Sequence, residues 1–269
     1  MIDLKSAREI DAIERSCQLA AEVLYQLKLA SQPGVSTKAL DVMAEDLIRS
    51  RGATPSFKGY SLGGLPPFPG SITTSINEEI VHGIPSERAL KSGDLLKIDI
   101  GVLKDGFHGD TAVSILVGTP TANAKRLFDV TKQSLKLAIE AAAPGNRLGD
   151  VGYAVQSYVE SHGFSVVRDF VGHGLGRSLH EDPQVPHYGR KGQGALIQEG
   201  MVFCLEPMIN EGTYKLKVRS DQWTAVTADG RLSAQFEHAI AITSHGPRIL
   251  SLHESDQDFY QSSKSKVQS

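Results

Sequence analysis

Apolar residues recur every three or four positions over the first fifty residues, which predicts two amphipathic helices. A capping-box sequence from Ser6 to Glu9 opens the first pattern, and Pro33-Gly34 ends it. The second pattern opens near Ser36-Thr37 and closes at Gly52. The apolar positions are Ile10, Ile13, Cys17, Ala20, Leu24 and Leu27, followed by Leu40, Met43, Leu47 and Ile48.

The same helical arrangement returns in the middle of the chain. A helix is predicted from about Thr121 to Pro144-Gly145, and a second one closes at Gly163. Gly34 and Gly52 match Gly145 and Gly163, an offset of 111 residues in both cases. The apolar positions of the second helix match in order and are Val151, Ala154, Tyr158 and Val159. We interpret this as a duplicated pair of helices.

Strand-like segments repeat as well, and each carries an acidic residue. The segment 93–99 matches 200–206, so Asp99 corresponds to Glu206, and 110–115 matches 237–242, so Asp110 corresponds to Glu237. We therefore predict one domain over residues 1–252 with two pseudo-symmetric halves, about 1–115 and 120–250. Residues 253–269 are predicted to be a polar C-terminal tail.

Side-chain alternation predicts that the four acids share one face of a sheet. Segments 95–102 and 107–117 flank a turn signal and form a predicted hairpin. A two-residue turn at Lys104 and Asp105 would set Asp99 opposite Asp110, and a bulge would move this pairing by one residue. The apolar residues that alternate with Asp99 should face the helices; they are Leu96, Ile98, Ile100 and Val102.

Composition narrows the functional classes. The 269 residues include 28 Lys and Arg against 31 Asp and Glu, a net charge of -3, which argues against a nucleic-acid or anionic-membrane partner. Cys17 and Cys204 are too few for a disulfide framework, and the first residues are charged where a signal peptide needs an apolar core. We expect a cytoplasmic protein.

Buried carboxylates that converge repel one another unless cations neutralise them, so the four acids predict a divalent-metal site. Each acid alone could equally lie on a solvated strand face. His173 and His180 lie seven residues apart in a glycine-rich segment, and His82 lies in the first half. A single histidine is more often structural, and the other histidines receive no role. Serine, cysteine and nucleotide chemistry lack their usual motifs.

At these residues the chain resembles the type I methionine aminopeptidases, over about residues 2–250. The motifs that carry the resemblance are Ser75–Pro85, Lys97–Gly101, Gly106–Thr111, Gly172–Gly176, Leu205–Met208 and Ser233–His238. The resemblance implies the α/β (α+β) pita-bread fold, a pseudo-two-fold antiparallel sheet with helices on its outer face.

The resemblance also implies a metalloaminopeptidase that removes the N-terminal methionine from nascent proteins and peptides through a hydroxide bound to two metal ions. The implied metal ligands are Asp99, Asp110, His173, Glu206 and Glu237, with Asp99 chelating one ion and Asp110 and Glu237 bridging both. The ions would be Co, Mn, Fe(II) or Zn, and a monovalent cation bound by backbone oxygens is implied near Asn77, Glu79 and Ser233.

Roles for further residues follow from the same resemblance. Glu206 would move the proton from the nucleophile to the leaving nitrogen, His180 would hydrogen-bond the oxyanion, and His82 would lie near the scissile amide. The methionine pocket maps onto Tyr60, Phe68 and Trp223, with Phe57 and Leu179 as further candidates. The loop 61–67 is interpreted as an insertion between Tyr60 and Phe68.

Two other functions remain open at this point. A proline-specific peptidase of the same fold would usually carry an additional N-terminal domain, for which 269 residues leave no room. A non-catalytic binding protein on this fold would be expected to lack some of the five ligands. The expected partners are nascent polypeptides with an N-terminal methionine and, as a candidate, the ribosome; a monomer is expected.

Overall fold

The computed structural model describes residues 2–61 and 63–261. The helices are α1 (Ala7–Ala30), α2 (Thr37–Ser50), α3 (Ala122–Ala141), α4 (Leu148–Ser161) and α5 (Gln257–Gln261), with a 3-10 turn at Glu254–Asp256. The strands are β1 (Thr54–Pro55), β2 (Thr73–Ile76), β3 (Glu79–Val81), β4 (Leu95–Lys104), β5 (Phe107–Leu116), β6 (Ser165–Val166), β7 (Gly172–Gly174), β8 (Glu181–Val185), β9 (Val202–Leu205), β10 (Met208–Asn210), β11 (Leu216–Val218), β12 (Ala225–Thr227), β13 (Ser233–Gln235), β14 (Glu237–Thr243) and β15 (Gly246–Ile249).

The predicted helices are confirmed, together with the signals that start them. The side chain of Ser6 accepts a hydrogen bond from the Glu9 N–H, and the Glu9 carboxylate accepts one from the Ser6 N–H, which is the predicted capping box. The Ser36 and Thr121 side chains accept hydrogen bonds from the Ala39 and Ala124 N–H groups at the starts of α2 and α3. These three helices therefore begin where a side chain satisfies one of their first unpaired amide groups.

The duplication of the helix pair is visible in the backbone. Glycines follow the helices at corresponding places in the two halves, and all four adopt left-handed φ values that other residues rarely reach. Gly34 and Gly145 have φ of 94° and 90°, and Gly52 and Gly163 have φ of 67° and 76°. The repeated glycines thus stop equivalent helices at equivalent points.

The main sheet is antiparallel and joins the two halves at its centre. Its strand order is β1-β4-β5-β14-β9-β7-β8, with β2 on β4 and β15 on β14. The halves meet where β5 pairs with β14, through Glu237 opposite Ala112 and His238 opposite Thr111. Two smaller three-stranded sheets, β13-β10-β6 and β11-β12-β3, complete the molecule over the described residues.

The helices pack on the outer face of the sheet, as the alternation predicted. Residues of α1 and α2 bury their apolar faces against β4, and α3 and α4 bury theirs against β9 and β14. The four residues predicted to face the helices are fully buried in the first of these cores; they are Leu96, Ile98, Ile100 and Val102. The pita-bread fold class is confirmed.

The predicted hairpin register is wrong by two residues. The turn residues are Asp105 and Gly106, both with positive φ (52° and 79°), and Lys104 pairs with Phe107. An Asp-Gly pair suits this turn because it tolerates two consecutive left-handed residues. Asp99 therefore lies opposite Ala112, and Asp110 lies opposite Gly101. A shift of two keeps every side chain on its predicted face, since strands alternate with period two.

The described part of the predicted C-terminal tail, residues 253–261, contacts α3. Lys132 Nζ lies 2.8 Å from the Asp256 carboxylate, and Lys136 Nζ donates to the Phe259 carbonyl at 2.6 Å. Residues 262–269 lie outside the described residues. None of the helices in the described parts of the chain combines the length and apolar content that crossing a bilayer requires.

Close packing of α1 on β5 depends on Gly109. A methyl group added there would lie 2.3 Å from the backbone N of Cys17, inside the helix. We expect Gly109→Ala to lower the free energy of unfolding by about 3 kcal/mol because the helix must move away from the strand. Gly230→Ala is the control: its φ is 74° with no atom within 4 Å, so only backbone strain of about 1 kcal/mol is expected. Denaturant unfolding measures both, and an equal or smaller loss for Gly109→Ala would contradict this packing role.

Candidate active site

The side of the sheet away from the helices borders a cavity of about 510 Å³. This volume lies within the range of small-molecule sites, about 300–1,000 Å³. All of the residues that the sequence singled out for chemistry or substrate binding line it: Tyr60, Phe68, His82, Asp99, Asp110, His173, His180, Glu206, Trp223 and Glu237. Phe57 and Leu179 line it as well.

The sheet register brings the four acids together on one face. Asp99 in β4 and Glu237 in β14 both lie opposite Ala112 of β5, and residues opposite one another share a face. Asp110 lies two residues before Ala112 and so points the same way. Glu206 follows β9, whose Leu205 pairs with His238, and this places Glu206 beside Glu237. The face predicted for the acids is confirmed.

His173 completes the cluster from β7. Its Nε2 lies 3.5 Å from Glu206 Oε1 and 3.8 Å from Asp110 Oδ2, while its Nδ1 lies 3.0 Å from the Gly174 carbonyl oxygen. That hydrogen bond requires the proton on Nδ1, which leaves the Nε2 lone pair directed at the carboxylates. The Nε2 atom is therefore placed where it could coordinate a cation together with these carboxylates.

The glycines on either side of His173 serve strand packing. An added Cβ would lie 2.2 Å from the Cys204 carbonyl oxygen at Gly172, and 2.1 Å from the Asp182 carbonyl oxygen at Gly174. Only glycine therefore lets β7 fit between β8 and β9 at this point. These two glycines of the glycine-rich segment therefore help to place the histidine between them.

Burial and mutual repulsion disfavour negative charge in this cluster. Burial raises the pKa of Asp99, and it raises the pKa of Asp110 well above its usual range, with repulsion from Glu237 and Asp99 adding to the effect. The pKa values of Glu206 and Glu237 are raised well above normal for the same reasons. Burial lowers the pKa of His173 to about 3, so its imidazole is neutral near pH 7. The acids need a compensating positive charge to be ionised together.

The donor set fits divalent cations. Three buried carboxylate oxygens have no hydrogen-bond partner among the described residues, namely Asp99 Oδ1, Asp110 Oδ1 and Glu237 Oε1. Unsatisfied buried oxygens are costly, and a cation satisfies them. Donor atoms of Asp110, His173 and Glu237 lie within 4.8 Å of one another. Carboxylates with one imidazole suit Mn, Fe, Co or Zn.

His180 lies beside the cluster and is held by Tyr60. The Tyr60 hydroxyl lies 2.7 Å from His180 Nδ1, and the His180 ring lies 4.3 Å from that of His173. Burial lowers the pKa of His180, so a neutral ring is favoured near pH 7. If the Tyr60 hydroxyl donates to Nδ1, the His180 proton lies on Nε2 and is available to another acceptor.

His82 occupies a strained backbone position at the cavity wall. Its φ is 59°, in the left-handed region that a non-glycine residue seldom adopts away from functional sites. The imidazole lies edge-on to Phe170 at 5.1 Å and to Trp223 at 6.2 Å. Burial, followed by the influence of His180, lowers the pKa of His82 to about 4, which keeps the ring neutral.

Phe68 and Trp223 form an apolar wall in the same cavity. Their rings meet edge to face at 5.3 Å, and the Trp223 indole N–H donates to the Pro66 carbonyl oxygen at 3.0 Å. The loop 61–67 leaves Tyr60 and Phe68 paired, because the Phe68 N–H donates to the Tyr60 carbonyl oxygen at 2.8 Å. Leu62 lies outside the described residues. The loop therefore supports the wall through Pro66.

Three residues at the site were given no role from the sequence. The Glu206 N–H donates to His187 Nε2 at 2.9 Å, Phe170 packs against His82, and the Cys204 thiol lies in the donor cluster with Asp110, His173 and Glu237. Alternation along β9 could have placed Cys204 on the face of Glu206. No local pattern marks His187 or Phe170, because their contacts join distant segments.

A family model described as Metallopeptidase family M24 matches residues 11–244. The chain belongs to this family. Methionine aminopeptidase B of Synechocystis is 49% identical over 250 residues, covering 93% of this chain and 91% of that protein. The crystal structure of methionine aminopeptidase from Rickettsia prowazekii is 42% identical with a TM-score of 0.91, covering 94% of this chain and all of that one. Prolidase from Pyrococcus furiosus, 22% identical with a TM-score of 0.74 over 93% of this chain and 66% of that one, shares the fold.

Metal uptake at this M24 site should release protons. Folding raises the pKa of such a carboxyl group above its unfolded value, which is 3.8 for an aspartate. The group therefore contributes to the stability of the metal-free protein at a pH below 3.8, and this contribution is lost as the pH rises through the folded pKa. Burial raises the pKa of Asp99 to about 7, and bound metal requires the ionised form, so metal affinity should rise as the pH rises through about 7.

Calorimetric titration with Mn²⁺ at pH 7, in buffers of different ionisation enthalpy, measures the protons released. We expect about one or more per protein. Asp110→Asn, which cannot hold a carboxyl proton, should release fewer. Metal binding without proton release in the unmodified protein would show that the cluster is already ionised.

Proposed function

We propose that this chain is a metal-dependent aminopeptidase that removes the N-terminal methionine from nascent proteins and peptides. The observation that carries the proposal is one cavity in which a cluster of metal-ligand side chains adjoins an aromatic wall. The methionine aminopeptidases that resemble this chain over more than nine-tenths of its length support the same activity.

Asp99, Asp110, His173, Glu206 and Glu237 would hold two divalent ions. This assignment is supported by the unpartnered oxygens of three of these acids and by the central placement of β5 and β14 in the sheet. Bound ions would supply activated water near neutral pH and polarise the peptide carbonyl. The imidazole nitrogen of His173 favours Mn, Fe(II), Co or Zn over a hard ion such as Mg²⁺.

His180 would stabilise negative charge on the carbonyl oxygen of the scissile bond. Tyr60 holds Nδ1, so Nε2 would donate a hydrogen bond that strengthens as the oxyanion develops. A neutral donor avoids the desolvation cost of an imidazolium in this buried place, which agrees with the lowered pKa. His180 acts in this proposal as a hydrogen-bond donor, and His173 as a ligand.

Glu206 and His82 would handle the proton and the amide. Glu206 lines the cavity and would take a proton from the nucleophile and give it to the leaving nitrogen. His187 fixes the Glu206 backbone and so limits where that carboxylate can lie. His82 would hydrogen-bond the peptide group near the scissile bond from the opposite wall.

The aromatic wall suits an unbranched methionine side chain. Tyr60, Phe68 and Trp223 would contact the thioether, and sulfur packs favourably against aromatic rings. Because the Trp223 N–H is already bonded to Pro66, the wall presents apolar surface to the cavity. A branched side chain in the same place would clash with the Phe68 and Trp223 rings, whose positions are fixed by their contacts with each other and with Pro66.

Neither alternative function is favoured by a specific observation. The likeness to a prolidase at 22% identity supports a shared fold and carries no substrate. A non-catalytic protein would not require all five ligand positions to be filled, and all five line the cavity here. We therefore retain the aminopeptidase.

We also propose a cytoplasmic monomer that acts on nascent chains, with the ribosome as a candidate partner. Both cysteines are free and buried, which suits a reducing compartment. The exposed large apolar side chains among the described residues are scattered along the chain, which favours a monomer; they are Leu4, Leu29, Val42, Tyr153, Leu196 and Val218.

Substrate preference tests the activity directly. Protein loaded with Mn, Fe(II), Co or Zn should cleave Met-Ala-Ser and its norleucine analogue, and Leu-Ala-Ser about a hundredfold less efficiently. Acetyl-Met-Ala-Ser and Ala-Pro should resist cleavage. Phe68→Leu should reduce the preference for methionine over leucine. Phe128→Leu, in a similar edge-to-face pair with Phe236 outside the cavity, should leave it unchanged. Efficient release of leucine, or cleavage of Ala-Pro, would exclude the methionine assignment.

The two neighbouring histidines should behave differently when removed. His180→Ala should lower kcat about a hundredfold with metal content unchanged, because an oxyanion donor acts mainly in the transition state. His173→Ala should instead weaken metal binding. Metal titration beside steady-state kinetics compares the two variants; loss of a metal equivalent in His180→Ala, or normal metal binding in His173→Ala, would reverse the assigned roles.

A further inference from the structure

The place where the resemblance implied a monovalent cation already holds a side-chain amino group. Lys97 Nζ donates to the Asn77 carbonyl oxygen at 2.9 Å, and the Ser233 N–H donates to the same oxygen at 3.0 Å. A carbonyl oxygen has two lone pairs, and both are used here. The residues present therefore do not fit an additional cation at Asn77.

Glu79, the second residue of the implied cation site, has a carboxylate whose charge is already balanced. Its Oε2 accepts from the Ile76 N–H at 2.6 Å, and its Oε1 accepts from Arg219 at 2.6 Å and from Arg88 at 3.2 Å. The implied site uses backbone oxygens, so this carboxylate could contribute to it only through its charge. Two guanidinium groups already balance that charge.

Lys97 is built into the fold at this point. Its side chain is among the largest that are fully buried, and Nζ makes a second hydrogen bond, of 3.3 Å, to the Leu95 carbonyl oxygen. Burial lowers the pKa of Lys97 to about 7, and the charge of Glu79 opposes this shift. Both protonation states of the amine can donate these two hydrogen bonds, so the contact does not depend on titration.

We propose that the amino group of Lys97 takes the place of a monovalent cation and positions the Asn77 turn. The turn lies between β2 and β3, and the chain continues from β3 to the strained His82. Lys97 lies two residues before Asp99 on the same face of β4. The amino group therefore joins the Asn77 turn, which leads to His82 at the cavity wall, to β4, which carries Asp99. The Ser233 N–H joins the same Asn77 carbonyl oxygen to β13.

The consequence is that this protein needs no Na⁺ or K⁺ to order the turn, whereas a variant without the amino group does. Lys97→Met removes the amino group and shortens the side chain by one atom, which leaves room for a new occupant beside the Asn77 and Leu95 carbonyl oxygens. Lys136→Met is the matched control, since Lys136 is a buried lysine that also donates to a backbone carbonyl, that of Phe259, far from the Asn77 turn.

Thermal unfolding of the Mn-loaded proteins is measured in tetramethylammonium chloride and, at equal ionic strength, in NaCl, KCl and RbCl. The midpoint of the unmodified protein should agree within about 1 °C among the four salts. In tetramethylammonium chloride, Lys97→Met should unfold about 5 °C lower, because two buried carbonyl oxygens each lose one of their two hydrogen-bond donors and keep only a backbone N–H. At least one small cation should restore much of this loss saturably. Lys136→Met should show no cation-specific recovery.

Crystals grown in RbCl provide a readout that is independent of activity and of the peptidase assignment. Anomalous scattering should show rubidium beside the Asn77 carbonyl oxygen in Lys97→Met and none there in the unmodified protein. Rubidium at Asn77 in the unmodified protein would overturn the proposal, and so would specific stabilisation of the unmodified protein by Na⁺ or K⁺. So would a folded Lys97→Met that responds to no cation. If Lys97→Met folds only when Na⁺, K⁺ or Rb⁺ is present, that requirement supports the proposal.

Discussion

Four carboxylates from the two halves of the chain are buried together on one face of the sheet, next to the β5–β14 junction, and the rest of the structure is arranged around them. Burial and mutual repulsion raise their pKa values, so the cluster holds protons or cations in place of bare charge. Three of the carboxylate oxygens have no hydrogen-bond partner among the described residues. A fold that keeps such a cluster bears a cost in stability, which metal ligation would offset.

Holding that cluster requires strands that approach one another closely and a firm outer layer. Gly172 and Gly174 let β7 bring His173 against the acids, and Gly109 lets α1 lie directly on β5. The helices on the outer face bury the apolar residues that alternate with the acids along the same strands, so one pattern sets both the core and the positions of the acids. Movement of a helix would therefore move an acid of the cluster.

The two halves contribute similar backbones and different chemistry. The first half supplies the cavity with the aromatic side chains of Tyr60 and Phe68 and with the strained His82. The second half supplies His173 and His180. The acids obey the pseudo-symmetry, whereas the residues that would contact substrate do not. Lys97 belongs to this asymmetric part, since its amino group fills a backbone-oxygen site that joins the Asn77 turn to β4 and β13.

The sequence by itself determined the helices, their caps and the face on which the acids lie, because these depend on local hydrogen bonds and on periods of 3.6 and two residues. The predicted hairpin register was wrong by two residues, yet Asp99 and Asp110 lie on their predicted face, because a shift of two residues matches the period of a strand. Only the tertiary structure decided which distant groups meet. His187 on the Glu206 backbone and Lys97 on Asn77 join segments about twenty residues apart without any periodic signal, so no local pattern could reveal them.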